Sequence, residues 1–434
     1  MSVIRTYQEL AWRHYSNQAA TNGKGAALLR PVTRGKTPDQ FANCSKVAML
    51  SEFESRHGGE NSLLAILPHL MRCGVRPIVV APNSGEFAAA VRELAIELVD
   101  FRRYLPDGTP LSQQEARQAL AATLRRISPD LVHANSLAMG RLAGPVTKQL
   151  NLPGIAHLRD IVRLNRQAVA DLNENACLLA VSHATRNYHV AQGIAAEKCH
   201  VVYNGIDQTV FRLRKSTGFL HHELGLPHGA VLLGNIGQIG LRKGHIPLFL
   251  AMQQIVSTLP QTHLIVVGKR WSSKAESFEY EQALHDLAAQ PPLKGHVHWL
   301  GVRHDIPAIL NELTLLLHTA RQEPLGRVLL EAAASQVPVI VTDVGGTREI
   351  FAPLKPNQCC TAILINTHKS KSDVDLASEI SKKTISLLKN ADLRNELAHQ
   401  ARRIVEERFA VENSANSVFL HYCKVTPLAF GEDS

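Results

Sequence analysis

The chain has 434 residues, 45% of them apolar and 20% charged; this is longer than a single core usually grows and ordinary for a globular protein, so two domains are expected. The net charge of +9 divides as 23 Lys+Arg against 17 Asp+Glu in 1–210 and 24 against 21 in 211–434. No basic run is interleaved with aromatics, which argues against nucleic acid and leaves an anionic membrane, an anionic substrate or a merely solvated surface. No apolar stretch is long enough to span a bilayer, the start MSVIRTYQELAWRHYSNQ lacks a signal-peptide core, and the seven cysteines show no CxxC spacing. A cytoplasmic protein with reduced thiols and no zinc site is predicted.

Residues 1–44 carry no sustained periodicity and read as an extension; their NGKG lacks the spacing of a phosphate loop. Short apolar runs then alternate with helical stretches: KVAMLSEF, GENSLLAILPHLMRCG, RPIVVAP, a helix near 85–95, LVDF, a helix across 111–127, LVHAN, GIAHL and CLLAVS. After HVVYNGIDQTVF the alternation restarts with AVLLGNIGQIG, a helix over 246–258, HLIVVG, VHWLG, TLLLH, VPVIVTD and AILIN. Such alternation predicts parallel sheets wrapped by helices, hence two doubly wound domains, 45–213 and 214–409, with a C-terminal helix at 410–426. The final helical pattern is interrupted near Phe409. In open α/β sheets, ligands bind beyond the carboxyl ends of the strands, so functional residues are expected in the loops there.

The stretch EPLGRVLLEAAASQVPVIV sets Glu323 and Glu331 in a segment that otherwise reads as interior. Pro324 suits a first helical turn, which predicts Glu323 at the helix mouth, Glu331 well inside, and the two about 12 Å apart along the axis. A carboxylate in such a helix is costly unless something polar meets it, and Arg327, four residues from each, offers an ion pair to both. After VPVIVTD, Gly345 and Gly346 form either an anion-receiving turn at a helix start or an ordinary strand-to-helix turn. The cluster GNIGQIGLRKG has GxxGxxG spacing, not the dinucleotide fingerprint, and ends in Arg242 and Lys243, cations suited to a diphosphate. In the first half, Gly58 and Gly59 open a helix where a ligand can approach closely, and His133, His157, Arg159 and Asp160 end neighbouring strands as candidates for a cleft floor.

These motifs, in this order, resemble the retaining glycosyltransferases of family 4, from about Lys46 to about Tyr422. The E-x7-E pair Glu323/Glu331 is the most specific element; VYNGIDQTVF, RKG, WLGVRHDIPAIL and VGGTREI accompany it. The resemblance implies an α/β GT-B fold, two Rossmann-like domains facing across a cleft, and transfer of a hexose from a nucleoside diphosphate sugar with retained anomeric configuration. It implies no metal or other cofactor. Glu331 is expected on the donor ribose, Glu323 on the sugar hydroxyls, and Lys243 with Gly345, Gly346 and Thr347 on the diphosphate. Gly326, Arg242 and Gln238 complete the donor side, Gln238 standing where relatives carry an arginine. His157 or Arg159 faces the sugar, and Gly58, Gly59 and His133 belong to the acceptor side. Gln336 replaces a glycine common in relatives and is expected to be a packing difference. The acceptor is a glycan or lipid-linked molecule of the cell-envelope or lipopolysaccharide kind, met at the inner membrane face by peripheral contact. A sugar-nucleotide 2-epimerase and a non-catalytic nucleotide-sugar-binding partner stay open as alternatives.

Overall fold

The structure, a computed structural model, describes residues 45–105, 107–353, 360–367 and 372–426. The predicted extension 1–44 and Cys359 lie outside the described residues. The first sheet contains β1 (Ser45–Leu50), β2 (Val75–Ala81), β3 (Glu97–Asp100), β4 (Leu131–Ala134), β5 (Gly154–Leu158), β6 (Cys177–Ala180) and β7 (Cys199–Val201). Its spatial order is β3-β2-β1-β4-β5-β6-β7, and every neighbouring pair is parallel. The second contains β8 (Val231–Ile236), β9 (Thr262–Val267), β10 (Val297–Gly301), β11 (Leu315–His318), β12 (Val339–Thr342) and β13 (Ile363–Ile365), ordered β10-β9-β8-β11-β12-β13 and again parallel throughout.

Parallel strands covered on both faces are apolar along their whole length, as VAML in β1 and LLLH in β11 are. Alternation sends Val47 and Met49 into one core of the first sheet and Ala48 and Leu50 into the other. The sheets each reverse their winding once, between β1 and β4 and between β8 and β11, and the loops leaving those strand pairs diverge to open a crevice.

The C-terminal segment serves both cores. Helix Ala391–Arg408 sends Ala401, Ile404 and Val405 against Leu329 and Leu330 of the second half. Helix Val411–Val425 lays Val411, Ala415, Val418 and Tyr422, a stripe at helical spacing, onto the first sheet. The interruption lies at Phe409–Ala410, where the Ile206 N–H donates to the Phe409 carbonyl (2.8 Å) and the Val411 N–H to the Ile206 carbonyl (3.1 Å). Gly205 permits this approach, because a Cβ there would lie 2.5 Å from the Val411 Cα.

Candidate active site

At the reversal of the second sheet, the chain leaves β8 through a short 3-10 turn, Leu241–Lys243, and leaves β11 through the loop that carries Glu323. The Lys243 ammonium donates to the Glu323 carboxylate (Nζ to Oε2, 2.5 Å), His318 Nε2 lies 2.8 Å from the same oxygen, and Arg242 Nη1 is 3.9 Å from Oε1. Gly244 turns the chain here at φ 64°; a Cβ on it would lie 2.1 Å from the Thr319 carbonyl oxygen, so no larger residue fits. Glu323 is only 6% exposed. Burial alone would raise its carboxyl, but Lys243, the His318 hydrogen bond and Arg242 outweigh it and hold the group well below the usual carboxylate range. Glu323 is therefore an anion at neutral pH, fixed in place by the adjacent cations Arg242 and Lys243 of the turn after β8 and by His318 at the end of β11.

The expected geometry of the glutamate helix needs correcting. The helix is Arg327–Ala334 and begins after Gly326, whose φ of 101° breaks the chain direction, so Pro324 sits in a bend outside it and Glu323 belongs to a loop. The separation expected along a helix axis does not apply. The ion-pairing is also split. Arg327 donates to Glu331 (Nε to Oε1, 2.8 Å), while Glu323 takes its partners from β8 and β11. Burial raises the Glu331 carboxyl, and Arg327 opposes this.

The glycine turn packs directly on the Glu323 loop. A Cβ on Gly345, at φ 54°, would lie 1.9 Å from the Glu323 carbonyl oxygen, and one on Gly346 would lie 2.3 Å from that of Pro324. The Gly346 N–H donates to the Glu323 carbonyl (2.9 Å), and the Thr347 hydroxyl binds the Thr342 and Val344 carbonyls. These two groups, expected to face an anion, hold the loop's shape instead. Gln238 is exposed beyond β8, and Arg242 donates to the Gln322 carbonyl (3.1 Å). Gln336 has φ 56° at the end of the glutamate helix, where the Val337 N–H reaches the Ala332 carbonyl and the Gln336 N–H that of Ala333. That is a Schellman turn with glutamine in the glycine position, a backbone difference where a packing one was expected.

In the first half, Arg159 follows β5 and donates to the Asn135 carbonyl (2.8 Å), to the Asn135 side chain (2.8 Å) and to Asn204 (2.6 Å). Its Nη2 is also 3.2 Å from His157 Nδ1. Because a guanidinium only donates, His157 Nδ1 accepts and its proton sits on Nε2. His133 Nε2, 2.7 Å away, then donates to the same Nδ1, leaving His133 Nδ1 to accept from the Tyr422 hydroxyl at 2.5 Å. Burial, aided by Arg159, holds His133 down at about 3 and His157 well below its ordinary value, so both imidazoles are neutral. Burial also lowers Arg159 to about 10, which leaves it charged. His133 is 0% exposed beneath Tyr422 and lines no open surface, contrary to its expected acceptor-side place. Gly59 admits the Arg159 side chain, whose Cδ would lie 3.3 Å from a Cβ there, and Gly59's carbonyl accepts from Asn135 (3.1 Å); Gly58 faces open space.

The two halves meet through the Glu323 loop. Ser182 donates to the Pro324 carbonyl (2.5 Å), Glu349 accepts from the His183 and Ala184 N–H groups (2.8 and 2.9 Å) and from Tyr203 (2.9 Å), and Arg327 reaches Ser62 (3.3 Å). His318, Glu349, Asn135 and Asn204 all lie in motifs legible in the sequence, TLLLH, VGGTREI, LVHAN and VYNGIDQTVF, but their roles depend on partners distant in the chain. Tyr422 carries no such signal.

Two parallel-sheet α/β domains, each reversing its winding once, make an architecture of the GT-B type. Residues 56–210 match the family model for Glycosyltransferase Family 4 and residues 217–404 that for Glycosyl transferases group 1; with these two domains the chain is a GT-B glycosyltransferase. It is 26% identical to spore coat protein SA of Bacillus subtilis over 53% of this chain and 60% of that one. It is 25% identical to a GDP-mannose-dependent alpha-mannosyltransferase of Mycobacterium tuberculosis over 71% of this chain and 82% of that one. The fold matches Anabaena HepE, solved in complex with UDP-glucose, at TM-score 0.74 and 22% identity, covering 87% of this chain and 99% of that one.

Proposed function

We propose that this glycosyltransferase moves a hexose from a nucleoside diphosphate sugar to a glycan or lipid-linked acceptor, retaining the anomeric configuration and using no metal. One observation carries this reading: the buried, ionised Glu323 is held between Lys243 and His318 where the second sheet reverses. A nucleoside diphosphate hexose matches the ligand of HepE and the donor named for the mycobacterial relative.

In this reading Glu323 accepts hydrogen bonds from sugar hydroxyls, and Glu331, on the following helix, accepts from the ribose. Lys243 has three N–H donors and gives one to Glu323, so the other two serve the diphosphate, with Arg242 beside it. As the glycosidic bond breaks, charge grows on the leaving diphosphate, and a cation already fixed in place stabilises that charge without reorganising. Across the cleft, His157 Nε2–H is a neutral donor for the sugar, oriented by the bonds on its Nδ1. Arg159 brings a positive charge whose direct hydrogen-bond partners are all neutral, with Glu60 and Asp160 balancing part of it from nearby, and an anionic or hydroxyl-rich group approaches the remainder. These cations take the place a divalent ion would otherwise fill.

No helix among the described residues is long and apolar enough to cross a membrane, and we place acceptor binding at the inner membrane face by peripheral contact of the basic first half. The test is turnover: nucleotide sugars are incubated with candidate acceptors with and without chelator, and the product is examined by NMR. An α-linked product from an α-linked donor, formed equally with chelator and lost in Glu323→Gln, is expected. Inversion or chelator sensitivity overturns that part of the reading, an epimerised nucleotide sugar without acceptor points to a 2-epimerase, and binding without turnover points to a non-catalytic partner, as Gln238 in place of an arginine would suit.

A further inference from the structure

The absence of CxxC spacing argued against a zinc site, yet folding gathers three metal-ligating side chains from distant parts of the chain. Cys177 opens β6. His200 lies in the middle of β7, paired with Leu179. Since side chains alternate across a strand, Cys177 and Leu179 share a face and His200 shares it with them. That face is covered by helix Val411–Val425, and His421 lies beside its buried Val418 and Tyr422. The Cys177 sulfur is 3.7 Å from His421 Nδ1, the imidazoles of His200 and His421 have centroids 4.8 Å apart, and one ligand atom from each of the three residues lies within 4.8 Å of the others.

A tetrahedral ion with bonds of about 2.3 Å to sulfur and about 2.0 Å to nitrogen sets those two atoms about 3.5 Å apart. The sulfur–Nδ1 pair, at 3.7 Å, is close to that spacing, and the His200 ligand atom, within 4.8 Å of both, closes in to complete the set. The position is at the amino end of β6, whereas the donor and acceptor groups lie beyond the carboxyl ends of the strands. Nothing in the transfer reaction uses it.

We propose that Cys177, His200 and His421 bind a divalent transition-metal ion, zinc by the chemistry of the ligands, with water in the fourth position. The ion clips the returning C-terminal helix to the first sheet. On binding, the thiol gives up its proton to solvent as the sulfur–metal bond forms, and the two imidazoles ligate through lone pairs without losing a proton. Lys424 and Arg186 are the charged groups nearby. Lys424 acts on all three ligands and Arg186 on His200, so each opposes the cation and weakens the site.

The test is titration of the full chain, kept reduced with a phosphine, with Co(II), followed by displacement with Zn(II). Tetrahedral visible bands with a near-ultraviolet thiolate-to-metal band are expected, along with a melting temperature that rises with Zn(II). Cys177→Ser should lose the thiolate band and His421→Gln the rise in melting temperature, while Lys424→Gln tightens binding several-fold. His200→Ala, at a partly exposed position, provides a folded variant with weakened binding should the buried ones fail to fold. No thiolate band in the native chain, or a band that survives in Cys177→Ser, overturns the proposal.

Discussion

The two halves of the cleft solve the same physical problem in opposite ways. Each buries ionisable groups at the carboxyl ends of parallel strands. In the second half, the Glu323 charge is met by opposite charge from Lys243 and Arg242, with His318 completing the set. In the first, the direct hydrogen-bond partners of Arg159 are amide and carbonyl oxygens and a neutral imidazole, behind which His133 and Tyr422 form a chain of uncharged donors and acceptors, and the carboxylates that balance its charge, Glu60 and Asp160, act on it without a hydrogen bond. One side pairs its charge by direct contact. The other balances its charge at a distance and keeps a neutral donor beside it, which suits it to an incoming anionic or hydroxyl-rich group. The difference teaches that charges at the carboxyl ends of parallel strands can be held by a direct ion pair or by neutral hydrogen bonds, Glu323 after β11 and Arg159 after β5 being one of each.

That contrast can be broken most severely at Lys243. Replacing it with Ala leaves Glu323 buried without its nearest cation, and removing one partner of such a pair costs roughly 3–5 kcal/mol. Urea denaturation should show the loss, and a midpoint unchanged from the native one would mean that the pair is not coupled. On the first side, Tyr422→Phe removes the donor to His133 Nδ1 and leaves a buried acceptor unsatisfied, at about 1–3 kcal/mol. A smaller loss there than at Lys243, measured in the same denaturant series, is what a neutral hydrogen bond on one side and an ion pair on the other require.

Acid sharpens the same comparison. His133 is held at about 3 in the fold against an unfolded value near 6.5, so the unfolded chain binds the extra proton between those values. Its contribution is fully present above about pH 6.5 and is lost as pH falls toward 3. Glu323 is lowered from 4.5, so its contribution is present above that value and is lost only in stronger acid. Stability should therefore begin to fall below about pH 6.5, His245 and His263 of the second half, held down at about 4 by burial, adding to His133, and His133→Gln should flatten that slope by at most about 1.4 kcal/mol per pH unit. An identical slope in the variant, read from melts between pH 7 and pH 5, contradicts a neutral buried His133. The smallest effect is expected at Gln336, where glycine relieves a left-handed backbone and should add up to about 1 kcal/mol.

Much of this was legible in the sequence because it depends on local pattern. The alternation of apolar runs and helices defined two doubly wound sheets, and the break near Phe409 falls where the two C-terminal helices separate. His157 and Arg159 stand out by their place at strand ends, Glu323 by the two-glutamate motif and Lys243 as a cation closing a glycine cluster, and the sheet order explains how Lys243 and Glu323, 80 residues apart, come into contact. What escaped was backbone detail and long-range pairing. Gly326 ends the chain's straight run before the helix, so Pro324 does not start it. The Gly346 N–H is taken by a carbonyl from another loop, a partner that no spacing reveals. Tyr422 meets His133 across 289 positions, and the Cys177, His200 and His421 set spans 244.

The central claim, that the second half holds a nucleoside diphosphate through the glutamate helix and the Lys243 turn, is tested most directly by thermal stability across a panel of nucleoside diphosphates and their sugars, in the native chain and in Glu331→Gln. A ligand present at 100 times its dissociation constant adds about 2.7 kcal/mol. A selective rise in melting temperature with one diphosphate family, lost in the variant, is the predicted result. No rise with any of them, or an equal rise in native chain and variant, would contradict it.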